Sequence, residues 1–236
     1  MQAASKQASI GNKLLVALPR AEYERLAPDL ELIDLKVGTL YDAGDAVRHA
    51  YFLQTGMISL LSVTNKDQVI EVGAVGYEGM VGIPSVLRNR RAPLRALVQI
   101  PGSAWRISSD ALRREFRRGG ELQELILCFT HSLATQIGQI VACNRYHTVE
   151  QRLSRWLLMT RDRVNSDTFN LTHEFIAYML GTTRSGVTTA ALALQDAGLI
   201  RYRRGRITIL DEKKLEGVTC DCYRIIREDV ERIIAA

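Results

Sequence analysis

The stretch Leu171–Ile200, LTHEFIAYMLGTTRSGVTTAALALQDAGLI, constrains the fold more than any other part of this chain. Thr172 is placed to cap a short helix whose inward positions are Phe175, Ile176, Met179 and Leu180, with the small Ala177 where a second helix must pack closely. Gly181, four residues after Ala177, can take the left-handed conformation that ends a helix and turns the chain. Val187, ten residues after Ala177, falls on the inner face of a second helix starting near Thr183. A small residue, a glycine at +4 and a branched apolar residue at +10 within two short helices is the helix-turn-helix spacing.

Beyond Asp196-Ala197-Gly198, the segment Leu199–Leu210 reads as two strands joined at Arg204-Gly205, a wing carrying Arg201, Arg203, Arg204 and Arg206. From Arg145 to Arg206 there are ten arginines and five acidic residues, an excess equal to the net charge of +5 on the whole 236-residue chain. A solvated basic face is the ordinary reading of such a stretch; arginines on a wing beside a helix-turn-helix point instead to phosphates. Double-stranded DNA is therefore the expected partner. The second helix would present Arg184, Ser185, Thr188 and Thr189 to base edges, with Arg184 best suited to paired hydrogen bonds with a guanine. Arg203, Arg204 and Arg206, with Thr172 and His173, would hold phosphates and set register.

The length argues for two domains. Leu35–Ile107 reads as short strands punctuated by glycine: Thr39–Tyr41, Tyr51–Leu53, Met57–Val63 after Gly56, Val69–Val72, a piece around Val81, and Leu97–Ile100 before Pro101-Gly102. That spacing predicts a β sandwich or barrel-like roll. A helix is expected over Ser108–Arg117, then a break at Gly119-Gly120. Leu122, Ile126, Phe129, Leu133, Ile137 and Ile140 then recur at helical spacing on one long helix. Its length and position predict a dimerising helix pair, so a charge at Phe129 or Leu133 should weaken dimerisation and DNA binding together. Thr148 and Gln151 have capping-box spacing at the start of a further helix. That helix is expected to turn Val149, Leu153, Trp156, Leu157 and Met159 inward and Arg152, Arg155, Arg161 and Arg163 outward. The expected divisions are 1–118, 119–146 and 147–236.

Several classes are disfavoured. Leu125–Asn144 carries no charged residue and is long enough to span a bilayer, but its Thr130, His131, Ser132, Thr135, Gln136 and Gln139 fit a soluble helix better. No membrane association is expected. Met1–Gly11 has no apolar stretch of a secretory signal, and four cysteines without a disulfide-like framework make the cytoplasm the expected compartment. His49, His131, His147 and His173 are scattered and there is no Gly-Lys-Ser/Thr loop, so an enzyme is not expected. Cys128 and Cys143, fifteen residues apart, are too distant to share a metal and read as small hydrophobes. Cys220 and Cys222 supply two ligands where a closed zinc site needs four, with no second pair nearby in the sequence, so no metal site is expected. Packing is the default for that pair and a redox role the alternative. A final amphipathic helix carries Tyr223, Ile226, Val230 and Ile233.

The order of these parts resembles the Crp/Fnr superfamily of bacterial transcription regulators, from about Leu14 to Leu210. Thr39–Asp45 and Tyr51–Ile58 look like that family's opening hairpins, and Leu171–Ile200 like its DNA-binding module. The resemblance implies an α+β chain: an N-terminal β roll like a cyclic-nucleotide-binding jelly roll, a long dimerisation helix, and a C-terminal winged helix-turn-helix. It further implies a homodimer on a near-palindromic operator, responding to a signal at the roll, with RNA polymerase as a further partner open to such a regulator. Ser185 and Thr189 stand where the best-known members carry Glu and Arg, so the usual operator is not expected; Gly186 lies inside the helix at a cost of about 1 kcal/mol. For the effector, Gly76, Glu78 and Gly79 match the family's ribose-holding turn and Arg91 its phosphate-binding arginine, but only loosely, and Pro93 interrupts the strand that should follow. A turn that binds nothing is favoured over cyclic-nucleotide binding, and no cofactor is assigned. The absence of cysteine before Cys128 argues against an N-terminal iron–sulfur centre. The competing function is a small-ligand or cyclic-nucleotide signalling module whose basic domain meets a partner other than DNA; an arginine-rich wing has no place in it.

Overall fold

The computed structural model describes residues 10–64 and 68–235; most of the segment read above for a secretory signal lies outside them. Helices α1 (Lys13–Ala17) and α2 (Arg20–Leu26) precede six strands: β1 (Glu31–Leu35), β2 (Gly38–Tyr41), β3 (His49–Val63), β4 (Val69–Val75), β5 (Met80–Val81) and β6 (Arg95–Ser108). They form one antiparallel sheet in the order β1-β6-β3-β4, with β2 on β6 and β5 on β3. A rolled sheet is what the glycine punctuation predicted, but two of its breaks are not turns. β3 runs straight through Gly56 and β6 through Pro101-Gly102, paired from His49↔Ser108 to Leu61↔Arg95 with register shifts around Thr55 and Met57. Gly56 has φ +83°, and a Cβ there would meet the carbonyl oxygen of Ile100 at 2.6 Å. The glycines thus mark a bulge where two backbones touch, which in sequence looks like a turn.

Helix α3 (Ser109–Phe116), capped by Ser108, leads into the 26-residue α4 (Glu121–Tyr146). Much of the stripe expected to join two copies packs within the chain, with Leu133 and Ile137 half-buried. Leu122, Ile126 and Phe129 belong to the core of the roll, Leu133 packs on its edge, Ile137 lines a cavity beside it, and Ile140 joins the second core. The ring of Phe129 lies so close over Gly79 that a Cβ there would come within 2.1 Å of it. Gln136 completes the docking like an added strand residue: its Oε1 accepts from the amide of Ala74 at 2.6 Å and its Nε2 donates to the carbonyl of Ala74 at 3.2 Å. A helix stripe of period 3.5 specifies a partner face, and here the partner is the chain's own sheet.

The expected capping box of Thr148 and Gln151 opens helix α5 (Val149–Val164). Its apolar positions Leu153, Trp156, Leu157 and Met159 are buried as expected, but so are Arg152, Arg155 and Arg163, expected outside. Only Arg161 faces outward, bonded to Asp167 and Glu212. The reason is that α5 is sandwiched between the roll and the C-terminal domain, so it has no fully solvated face. Arg163 Nε lies 2.9 Å from Glu78 Oε1, both side chains about 5% exposed, and also donates to the carbonyl of Ala74. Trp156 Nε1 donates to Glu71 on β4, whose carboxyl burial pushes up to about 7.

The C-terminal domain continues with β7 (Thr168–Asn170), α6 (His173–Leu180), α7 (Arg184–Asp196), β8 (Ile200–Arg203), β9 (Arg206–Ile209), α8 (Glu212–Val218) and α9 (Asp221–Ala235). Tyr223 and Ile226 of α9 enter the second core as expected of its apolar face; the side chain of Ile233 lies outside the described residues. That core also takes Leu61 from β3, so the two domains share apolar contacts as well as ions. Glu78→Ala would strand Arg163 as a buried, unpaired cation, and we expect a loss of about 3–5 kcal/mol in urea-induced unfolding; a change within experimental error would show the pair to be dispensable.

Candidate functional site

The helix-turn-helix forms as its spacing requires. Thr172 Oγ1 accepts from the amide of Phe175 at the start of α6, Gly181 ends that helix in the left-handed region at φ 58°, and Thr183 caps α7 by accepting from Gly186. Gly186 sits where a Cβ would meet the hydroxyls of Thr183 and Thr182 at 3.2 and 3.3 Å, which accounts for a glycine inside the first turn of a helix. Val187 is fully buried against the first helix. At the front of α7, Arg184, Ser185 and Thr189 are exposed.

Two of the residues expected at the interface are turned toward each other. Thr188 Oγ1 donates to the carbonyl of Arg184 at 2.9 Å, and His173 Nδ1 lies 2.9 Å from the same hydroxyl, so Nδ1 carries the hydrogen in that bond. The imidazole stacks on Tyr202 of the wing, ring centroids 4.0 Å apart, and its Nε2 is buried without a hydrogen-bond partner among the described residues. His173 and Thr188 thus join both helices of the motif to the wing, with the hydroxyl of Thr188 already engaged.

The wing is a three-stranded sheet, β7-β9-β8. β7 was not legible in the sequence, because its three residues hold a single apolar side chain, Phe169, behind a polar break. Arg204 (φ 50°) and Gly205 (φ 76°) form the expected two-residue turn, both left-handed. Leu171 donates to the carbonyl of Gly205 at 2.7 Å, which holds the tip beside Thr172 at the front of α6. Arg201, Arg203, Arg204 and Arg206 are all exposed, so this end of the domain gathers four wing guanidinium groups and the front of α7.

At the roll, Gly76, Glu78 and Gly79 share one hydrogen-bonded turn, but Arg91, the fourth residue expected to bind an effector, does not join them. The Glu78 carboxylate accepts from the amide of Gly76 and pairs with Arg163. Asn12 Nδ2 donates to the carbonyls of Tyr77 and Gly79, and Phe129 covers Gly79. Arg91 is exposed and donates instead to the carbonyl of Gly44. A cavity of about 220 Å³ does lie between the roll and α4, lined by residues that include Tyr41, Leu60, Met80, Ile83, Thr130 and Leu133.

Comparison with known proteins adds the lineage. Residues 37–118 match the cyclic nucleotide-binding domain and residues 151–218 the Crp-like helix-turn-helix domain. The chain belongs to the Crp/Fnr superfamily. It is 23% identical over 183 residues to the global nitrogen regulator of Synechococcus elongatus, spanning 73% of this chain and 82% of the relative. Among solved structures it is similar to a Crp/Fnr-family transcriptional regulator from Eubacterium rectale (TM-score 0.67, 19% identity, 87% of this chain and 96% of that one). FixK2 from Bradyrhizobium japonicum is similar too (TM-score 0.69, 14% identity, 81% and 98%). The family and fold are those of transcription regulators.

For a Crp/Fnr chain the roll raises the question of a cyclic nucleotide, and the residues present do not fit one. Among the described residues none that lines the cavity is charged, so a cyclic phosphate would enter without a guanidinium to receive it. The carboxylate expected at the ribose is closed off by Arg163.

The buried position of His173, with the Arg184 guanidinium nearby, holds its pKa below the ordinary 6.5. The folded chain therefore binds this proton more weakly than the unfolded chain, and the contribution of His173 is intact above pH 6.5 and lost as pH falls through the lower folded value. The midpoint of thermal unfolding should drop more steeply between pH 7 and 5 in the wild type than in His173→Gln; parallel slopes would contradict the assignment.

Proposed function

We propose that this chain is a homodimeric, sequence-specific DNA-binding transcription regulator on a near-palindromic operator, with the signal sensed at the roll. The observation that carries this is the exposed front of α7 flanked by four wing arginines. An α-helix in the major groove with a basic wing over the adjacent backbone is a recognised docking geometry. Arg184 reads a guanine, Ser185 and Thr189 give softer readout, and Arg203, Arg204 and Arg206 with Thr172 hold phosphates. His173 and Thr188 position the recognition helix. The sensor extends over 1–118, the connecting helix over 119–146 and the DNA-binding unit over 147–236.

The dimer seam is assigned to the face of α4 that the roll leaves open. Leu127, His131, Ala134, Gly138, Val141 and Arg145 are all exposed and spaced 4, 3, 4, 3 and 4 apart, a heptad pattern on the side opposite Phe129 and Gln136. A Cβ at Gly138 would meet nothing within 4 Å, and with Ala134 it offers the small side chains a second helix needs for close approach. A second copy of α4 is self-complementary to this stripe, and a twofold axis there sets the two recognition helices for two half-sites. The signal is a small, largely apolar ligand in the cavity beside α4, whose lining favours such a molecule over a nucleotide.

Selection of bound sequences from a random DNA pool should enrich a palindrome, and Arg184→Ala should weaken binding to it by about ten- to a hundredfold with relaxed choice at one position. No enrichment under any salt condition would favour a partner other than DNA. Ala134→Glu should yield a folded monomer by sedimentation, whereas Leu133→Glu should loosen α4 from the roll and lower the melting temperature. A dimeric Ala134→Glu protein would refute the seam.

A further inference from the structure

Cys143, His147, Cys220 and Cys222, which the sequence offers as unrelated residues, meet at one point. Cys143 and His147 lie one turn apart at the end of α4; Cys220 and Cys222 flank the start of α9. Their sulfur and ring-nitrogen atoms all lie within 4.8 Å of one another, with Cys143 Sγ 3.5 Å from Cys220 Sγ and Cys222 Sγ 3.6 Å from His147 Nδ1. In a tetrahedron with zinc–sulfur bonds of about 2.3 Å the ligand edges are about 3.5–3.8 Å. The two shortest contacts are on that scale, while a disulfide would require about 2.05 Å. The expectation that the cysteine pair lacked partners fails because the other two ligands come from the far end of the domain.

Charge gives an independent argument. Arg155 is 2% exposed, its Nε lies 3.3 Å from Cys143 Sγ and its Nη1 3.1 Å from Met159 Sδ. Among the described residues no carboxylate lies within 4 Å of it; the Glu71 carboxyl is its electrostatic neighbour, and burial pushes that group up to about 7, toward the neutral form. Arg152 is buried nearby, one nitrogen bonded to the carbonyl of Leu180 and its Nε without a partner. A guanidinium is a permanent cation in a protein. Buried cations facing neutral thiols are costly, and call for a compensating anion. Three thiolates and one imidazole around a divalent cation carry a net charge of −1, placed against Arg155.

We infer that Cys143, His147, Cys220 and Cys222 form a closed Cys3His zinc site. His147 binds through Nδ1, the three thiols give up their protons on binding, and Arg155 donates to the Cys143 thiolate from the second layer. The ion bolts the last helix to the end of α4, at the joint where α5 and the DNA-binding unit begin. It thereby fixes the angle between the connecting helix and the helix-turn-helix.

The test is the metal content of the full chain, purified with a reductant and without chelator. One zinc per chain is expected, replaceable by Co2+ to give thiolate-to-cobalt charge transfer and tetrahedral d–d bands. Cys222→Ser should lose those bands or bind Co2+ at least tenfold more weakly, while Cys128→Ser keeps them. Since Cys222→Ser could misfold, the wild-type content decides. A folded wild-type chain that carries no zinc and takes up neither Zn2+ nor Co2+ overturns the site. So does iron with acid-labile sulfide, or a Cys143–Cys220 disulfide that persists under reductant.

Discussion

The arrangement of the two domains depends on the buried ion pair between Arg163 and Glu78. It joins α5, the first helix after the long connector, to the turn Gly76–Gly79 of the roll. The pair is tolerable at about 5% exposure only because its remaining valences are filled: the Glu78 carboxylate also takes the Gly76 amide, and Arg163 also donates to the carbonyls of Ala74 and Met159. A turn that in sequence resembles an effector cradle is thereby converted into a structural joint. The same carboxylate cannot neutralise Arg163 and stay available to a ribose.

That joint explains why some sequence inferences succeed and others fail. The helix-turn-helix was legible because its determinants are local: Ala177, Gly181 and Val187 act within one short motif, and the Arg204-Gly205 turn needs only two residues. The orientation of α5 was not, because arginine on a helix reads as solvated unless a second surface covers it. Arg152, Arg155 and Arg163 are covered by elements remote in sequence. Periodicity also identified a stripe on α4 without saying what it faces. Leu122, Ile126 and Phe129 face the roll, and the weaker stripe through Ala134 and Gly138 is the one left open.

The cysteines show the same limit more sharply. Spacing rules detect metal ligands when they come in pairs along the chain, and Cys220 and Cys222 are such a pair. Their partners lie 77 residues before Cys220 and 75 before Cys222. Helix periodicity could have noted that Cys143 and His147 share a face, but nothing in the linear sequence brings the end of α4 to the start of α9. The buried Arg155, which on a helix reads as a surface residue, is the second clue and is hidden for the same reason.

Ala74 on β4 ties these features together. Its amide and carbonyl are both held by Gln136 of α4, and its carbonyl is also held by Arg163 of α5. The connecting helix and the first helix of the DNA-binding unit are therefore anchored on one strand residue, next to a cavity that α4 itself closes through Thr130 and Leu133. A ligand that shifts α4 from the roll must strain the Gln136 pair. The same displacement bears on the Arg163 contact, because both end at one carbonyl. A small movement of α4 at the cavity would thus bear on α5, the first helix of the DNA-binding unit, through the shared carbonyl of Ala74.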